Sequence, residues 1–246
     1  METLDRLLEI LYAERGEAVP ELDARGKALA FRALCNVRPP HPASAEFIRL
    51  QDEYLSALTR GRGIVRADSL YYNGGIALWQ GDITRLASDA IVNACNSALL
   101  GCFQPLHECI DNAIHTFAGV QVRLDCDKIM QGGLEAEGQV RVTEAYNLPT
   151  KYIFHTVGPQ VRGKPTLSQR RTLSSCYASC LAKANEIGLE TLAFCCISTG
   201  VFGYPKRAAA EVAVRTVRER RGKARVIFCV FDEENYGIYK ELLKGD

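Results

Sequence analysis

Residues 191–231 read TLAFCCISTGVFGYPKRAAAEVAVRTVRERRGKARVIFCVF. The apolar run Thr191–Ser198 has the length and composition of a buried strand. A Ser-Thr-Gly-x-x-Gly turn follows, and a helix-like run extends from Pro205 to Arg221. Ala224–Phe231 is then a second strand-like run. Strand, helix and strand in that order form a crossover unit, the repeating element of a parallel sheet. Working back along the chain, the same alternation begins near residue 70. Further strand-like runs are Ile76–Trp79, Ala90–Asn93, Gln139–Thr143 and Tyr152–Val157. Helix-like runs fall near Leu106–Ala118, Ser168–Ile187 and Glu233–Leu243. The expected class is α/β, a sandwich of helices around a mainly parallel sheet. In such sheets ligands bind beyond the carboxyl ends of the strands.

Residues 1–69 read differently. Leu4, Leu7, Leu8 and Leu11 recur at helical spacing, a second helix is expected over Glu21–Asn36, and PPHP at 39–42 stops it. A third helix runs from Ala43 or Ser44 to Thr59, with Phe47, Leu50, Tyr54 and Leu58 on one face. His41, between prolines, reads as a loop residue. The division is a helical extension over 1–69 and an α/β domain over 70–246. Lys+Arg is 30 against 29 Asp+Glu, a net charge of +1, so no global field favours nucleic acid or an anionic membrane. The longest apolar runs are too short to cross a bilayer, and the acidic, amphipathic start does not resemble a secretion signal. A cytoplasmic location is expected. The 10 Cys sit mostly in apolar runs such as AFCCIS and VIFCVF, as reduced core residues do.

Four motifs follow predicted strand ends. In LWQGDIT (78–84), Asp82 either caps the next turn or accepts from an exocyclic amine such as adenine N6. In IVNACNS (91–97), Asn93 and Asn96 either bond the local backbone or grip sugar hydroxyls. In GCFQPLHECIDNAIHTFAG (101–119), Cys102, His107 and Cys109 form Cys-x4-His-x-Cys. Two thiolates and an imidazole suit Zn2+ and leave one coordination position open, although buried reduced Cys and a core His fit the spacing as well. His115 is the nearest further donor, and core packing suits it better. The zinc-deaminase signature is missing. In CISTGVFGYP (196–205), glycines and a helix start invite a phosphate, but a plain strand-to-helix turn has the same sequence, and the Walker pattern is absent.

GDIT, NACNS, DNAIHTFAG and ISTGVFGYP, in this order and spacing, resemble the macrodomain family over roughly residues 70–246. The resemblance implies a three-layer α/β/α sandwich that binds ADP-ribose, and hydrolysis of ADP-ribose from modified proteins. The family's usual glycine run is replaced here by Cys102-Phe-Gln-Pro-Leu-His107-Glu-Cys109, as in its zinc-dependent branch. That branch is associated with a class M sirtuin and a lipoyl-carrier protein, and the N-terminal helices are similar too. By resemblance, Asp82 and the Ile83 backbone take the adenine, and Asn96 takes the distal ribose, with Asn93 shaping the loop. Ser198, Thr199, Gly200, Val201, Phe202 and Gly203 hold the diphosphate, with Phe202 over the ribose. Tyr236 is a weaker candidate for the adenine cleft.

The mechanism so implied places zinc on Cys102, His107 and Cys109 beside the anomeric carbon. Asp111 orients or deprotonates the nucleophile, or stabilises the departing sugar; an ordinary helix N-terminal acid is the plainer role for it. Two rivals share the ADP-ribose handle: a binding module without turnover, and a hydrolase of small O-acyl-ADP-ribose esters. A zinc or redox protein of another kind does not need GDIT or ISTGVFGYP.

Overall fold

The computed structural model describes residues 2–244. Ala90-Ile-Val-Asn-Ala becomes a central strand because its first four residues are buried on both faces, as a parallel sheet requires. The strands needed to place the site are β2 (Ile76–Gln80), β4 (Ala90–Ala94), β5 (Val140–Glu144), β6 (Tyr152–Thr156), β7 (Thr191–Phe194) and β8 (Arg225–Val230). Among the described residues they form one six-stranded sheet in the order β2-β8-β7-β4-β6-β5. All neighbours are parallel except β5, which runs antiparallel to β6. The carboxyl ends of β2, β4, β6, β7 and β8 therefore open on one edge. Two short strands, β1 (Val65–Arg66) and β3 (Leu86–Ala87), pair outside this sheet.

Helices cover both faces. α6 (Leu167–Glu186), α7 (Lys206–Arg220) and α8 (Glu233–Leu243) pack side by side in one layer. α4 (Ile110–Ala118) and α5 (Val120–Met130) lie on the opposite face, as right-handed crossovers in opposite directions demand. The three-layer α/β/α sandwich is thus present. The helical pattern at 106–118 starts only at Ile110, because Phe103 and Leu106 take positive φ of 50° and 58°. The run 191–198 leaves the sheet after Phe194. Gly119, at φ 103°, breaks the chain between α4 and α5, and α5 was not legible as a separate helix.

α1 (Glu2–Ala13), α2 (Ala24–Val37) and α3 (Ala45–Gly61) are the expected N-terminal helices, with Asp23 and Ser44 as N-caps. Leu7, Leu8, Leu11, Phe31, Phe47 and Leu55 form an apolar cluster of their own. Val120 of α5 joins that cluster, so the helices pack on α4 and α5 rather than on bare sheet.

One side chain binds the two parts together. Arg123 on α5 is 5% exposed and donates to Leu100 O (2.7 Å), Cys35 O (2.8 Å), Arg38 O (2.5 Å) and Asn36 O (3.0 Å). Three of these carbonyls end α2 and have no helical partner of their own. Arg123→Met strands them, and a loss of about 3 kcal/mol in urea unfolding is expected.

Candidate nucleotide cleft and metal centre

The five parallel strand ends deliver five loops to one edge. After β2, Gly81 N donates to Val230 O at 2.9 Å, which places Asp82 beside the end of β8. Asp82 Oδ1 accepts from Thr84 N (2.9 Å) and Thr84 Oγ1 (2.6 Å), so the capping role is real. Its Oδ2 pairs with Arg62, from the end of α3, whose guanidinium lies 3.7 Å from the Phe117 ring centroid. The carboxylate is still about one third exposed, and the Ile83 N–H donates to no group among the described residues. Arg62 was not visible as a site residue, because only folding brings it to Asp82.

After β4, Asn96 turns inward. Its Oδ1 accepts from Ala98 N (3.0 Å) and its Nδ2 donates to Gly101 O (2.9 Å), which leaves one N–H and one lone pair for a ligand. Asn93, expected among the ligand contacts, is instead fully buried, because it faces the helix layer from mid-sheet. Its Nδ2 donates to Asp111 Oδ1 (2.8 Å) and to His155 Nδ1 (3.2 Å). His155 Nε2 must then carry the proton and donate to Thr143 Oγ1 at 2.9 Å. Asn93 is a positioning residue for Asp111. Burial pushes the Asp111 carboxyl up to about 6, although the Asn93 hydrogen bond opposes that rise. His115 Nε2 approaches Asp111 Oδ1 at 3.5 Å. Burial, with Arg123 and His155 nearby, drives the His115 imidazole well down, so this is a contact with a neutral ring.

The 101–109 loop brings Cys102, His107 and Cys109 together. Their donor atoms all lie within 4.8 Å of one another, and His115 is not in the group. His107 Nδ1 is buried with no hydrogen-bond partner among the described residues. Two sulfurs and an orphaned imidazole nitrogen are a donor set that fits Zn2+. Without a cation, burial pushes the Cys109 thiol up to about 11.

After β7, Ser198 takes φ 66° and is buried. The loop is pinned by Tyr204 N to Ser198 O (3.0 Å), Gly203 N to Gly200 O (2.9 Å) and Val161 N to Phe202 O (2.7 Å). Thr199 Oγ1 donates inward to Cys196 O at 2.9 Å. The N–H groups of Gly200, Val201 and Phe202 donate to nothing among the described residues and are free to receive an anion. Phe202 is half-buried. After β8, Phe231 is 81% exposed and sits next to the Asp82 loop, whereas Tyr236 packs on the core. The strand-like run Ala224–Phe231 takes in Phe231, whereas β8 ends at Val230 and leaves that ring outside the sheet.

These features define a three-layer α/β/α domain whose strand ends carry a loop with unpaired backbone N–H groups, a capped carboxylate and a Cys-His-Cys cluster that could hold a metal ion. The macro-domain family profile matches residues 92–213. A protein-ADP-ribose hydrolase of Treponema medium is 46% identical, covering 96% of this chain and 96% of its own. A protein of the same description from Staphylococcus aureus is 50% identical over 88% of this chain and 84% of its own. The Oceanobacillus iheyensis macrodomain solved with ADP superposes with TM-score 0.63 at 35% identity, covering 69% of this chain and 90% of that one. The Trypanosoma brucei macrodomain solved with ADP-ribose gives TM-score 0.63 at 27% identity, covering 99% and 96%. The chain belongs to the macrodomain family.

Gly203 tests the loop geometry. At φ 69° it would place a Cβ 2.7 Å from Val161 O. Gly203→Ala is expected to cost about 2 kcal/mol in urea unfolding, because strain and a backbone clash act together.

Proposed function

We propose that this protein is a zinc-dependent hydrolase that removes ADP-ribose from modified protein side chains. The observation that carries the reading is the convergence of Cys102, His107 and Cys109, the last two residues before Asp111, at the same sheet edge as a loop with three unpaired backbone N–H groups. Recognition of ADP-ribose alone needs no soft-metal triad. The names of the Treponema and Staphylococcus relatives, and the ADP-ribose and ADP held by the solved macrodomains, support the same substrate class.

In this reading Asp82 accepts from the adenine amine, Ile83 N–H supplies a backbone contact, and Phe231 offers its exposed ring beside them. The unpaired N–H groups of Gly200, Val201 and Phe202 receive the diphosphate. Asn96 uses its remaining N–H on a distal ribose hydroxyl while holding Gly101, the residue before Cys102. Cys102, His107 and Cys109 would hold the zinc, which would supply Lewis acidity at the scissile bond. Asn93 occupies one oxygen of Asp111 and leaves Oδ2 to take a proton from the attacking water. That proton returns to the side-chain oxygen that leaves the anomeric carbon. Residues 1–69 are the helical extension and 70–246 the catalytic unit. The protein partner is an ADP-ribosylated one, with a lipoyl-carrier protein and a class M sirtuin as the associates that the resemblance implies.

Zinc content should be measured together with release of ADP-ribose from a mono-ADP-ribosylated protein. Chelation and Cys102→Ala are expected to abolish release while ADP-ribose binding, followed by calorimetry, persists. Zinc-loaded protein that binds ADP-ribose but never cleaves is a reader and defeats the proposal. Full turnover in zinc-free protein defeats the metal's part in it. Asn96→Ala is expected to lower kcat on the order of a hundredfold, because the loop that aligns ribose and metal ligands loses its tether.

A further inference from the structure

The ligand loop is not held by the α/β domain alone. Arg32 and Asn36 lie four residues apart on α2 and so share one helix face. Arg32 Nη2 donates to His107 O (3.0 Å) and to Asn112 Oδ1 (2.9 Å). Asn36 Oδ1 accepts from Leu106 N (3.0 Å), and its Nδ2 donates to Thr116 Oγ1 (2.9 Å). Thr116 Oγ1 in turn approaches Asn112 Oδ1 at 3.4 Å.

Asn112 is where these contacts meet the sulfurs. Its backbone N–H donates to Cys109 Sγ (3.3 Å), and its Nδ2 donates to Cys102 Sγ (3.5 Å) and Gln104 O (3.0 Å). The Asn112 amide has only one orientation that serves both sides. Arg32 can only donate, so it requires Oδ1 and turns Nδ2 toward the thiolate. Asn36 and Asn112 are both 2% exposed, so water does not substitute for these partners.

We infer that the N-terminal helical layer is the outer shell of the metal centre, with Arg32 and Asn36 as positioning residues. They hold the backbone on either side of His107 and orient the amide that donates to a ligand sulfur. The guanidinium also brings positive charge to a site where two thiols become thiolates. Outer-shell partners of this kind orient ligands and raise metal affinity. The extension is then part of the site rather than a cover for it. This inference rests on the zinc reading above.

The test is zinc titration of the metal-stripped, reduced full-length protein against a chromophoric competitor, with cobalt substitution to report the ligand field. Arg32→Met and Asn36→Leu are each expected to weaken zinc about 10–100-fold and to shift the cobalt d–d bands. Arg6→Met, in an exposed ion pair of the same layer, is expected to change neither. Arg32→Lys, which keeps the charge and one donor, recovers part of the affinity. Should Arg32→Met or Asn36→Leu fail to fold, by circular dichroism, Arg32→Lys and Asn36→Asp are compared instead, and both are expected to bind zinc more weakly than wild type. Wild-type affinity and an unshifted cobalt spectrum in the folded variants overturn the inference and leave the zinc reading standing. A wild-type protein that takes no zinc overturns both.

Discussion

The hydrogen bond from Asn93 to Asp111 couples the middle of the sheet to the first turn of α4, beside the 101–109 loop. A carboxyl that is only 4% exposed needs a donor, and the Asn93 amide is the one that the sheet supplies. Asn93 can be that donor because β4 lies between β6 and β7 with both faces covered. Its second N–H is taken by His155, directly across on β6, and His155 passes the constraint to Thr143 on β5. Three adjacent strands therefore agree on where one oxygen of Asp111 points. The other oxygen has no hydrogen-bond partner among the described residues. The chain of donors from Asn93 to Thr143 restrains Asp111 Oδ1, although Asn93 Oδ1 itself has no partner among the described residues, and restraint is what a group that must meet a reacting atom requires.

Other groups at the strand ends follow from the same arrangement. A parallel sheet sends its loops to one edge, and each loop here brings a different capability. The 198–203 loop leaves three N–H groups unpaired while its carbonyls accept from Gly203, Tyr204 and, from across the chain, Val161. The Asp82 turn presents a carboxylate that is already partly satisfied by Thr84 and Arg62. The 101–109 loop has no regular structure, so it depends on outside partners to bring three donor atoms close. Those partners come from Asn96 on one side and from α2 on the other. Arg62 and Arg32 thus place the helical layer at two points of the site, some thirty residues apart in sequence.

Much of this was legible beforehand where chemistry and spacing are local. Val226-Ile-Phe-Cys-Val reads as a buried strand because no polar residue interrupts it. The N-terminal helices read as helices because Leu4, Leu7, Leu8 and Leu11, and Phe47, Leu50, Tyr54 and Leu58, recur at helical spacing, whereas the cap at Asp23 shows only in the structure. Cys102, His107 and Cys109 stand out because two thiols and an imidazole at that spacing suit a soft metal, although buried reduced Cys and a core His fit it as well. The illegible parts depend on distant residues. The true start of α4 was hidden because Leu106 looks helical but takes positive φ within the ligand loop. The antiparallel direction of β5 is not legible, since side-chain alternation does not encode direction. Phe231 merged with its strand because exposure is not written in hydrophobicity.

Local composition and order alone determined the class of fold, the edge on which ligands meet it and the donor atoms available there. Such features rest on periodicity and on the chemistry of neighbouring residues. Only the tertiary structure decided that Asn93 donates to Asp111, that Arg62 sits on Asp82, and that Arg32 and Asn36 grip the 101–109 loop. Each of those pairs is separated by 18 residues or more along the chain. Their contact is set by how whole layers pack, and no local pattern carries that information.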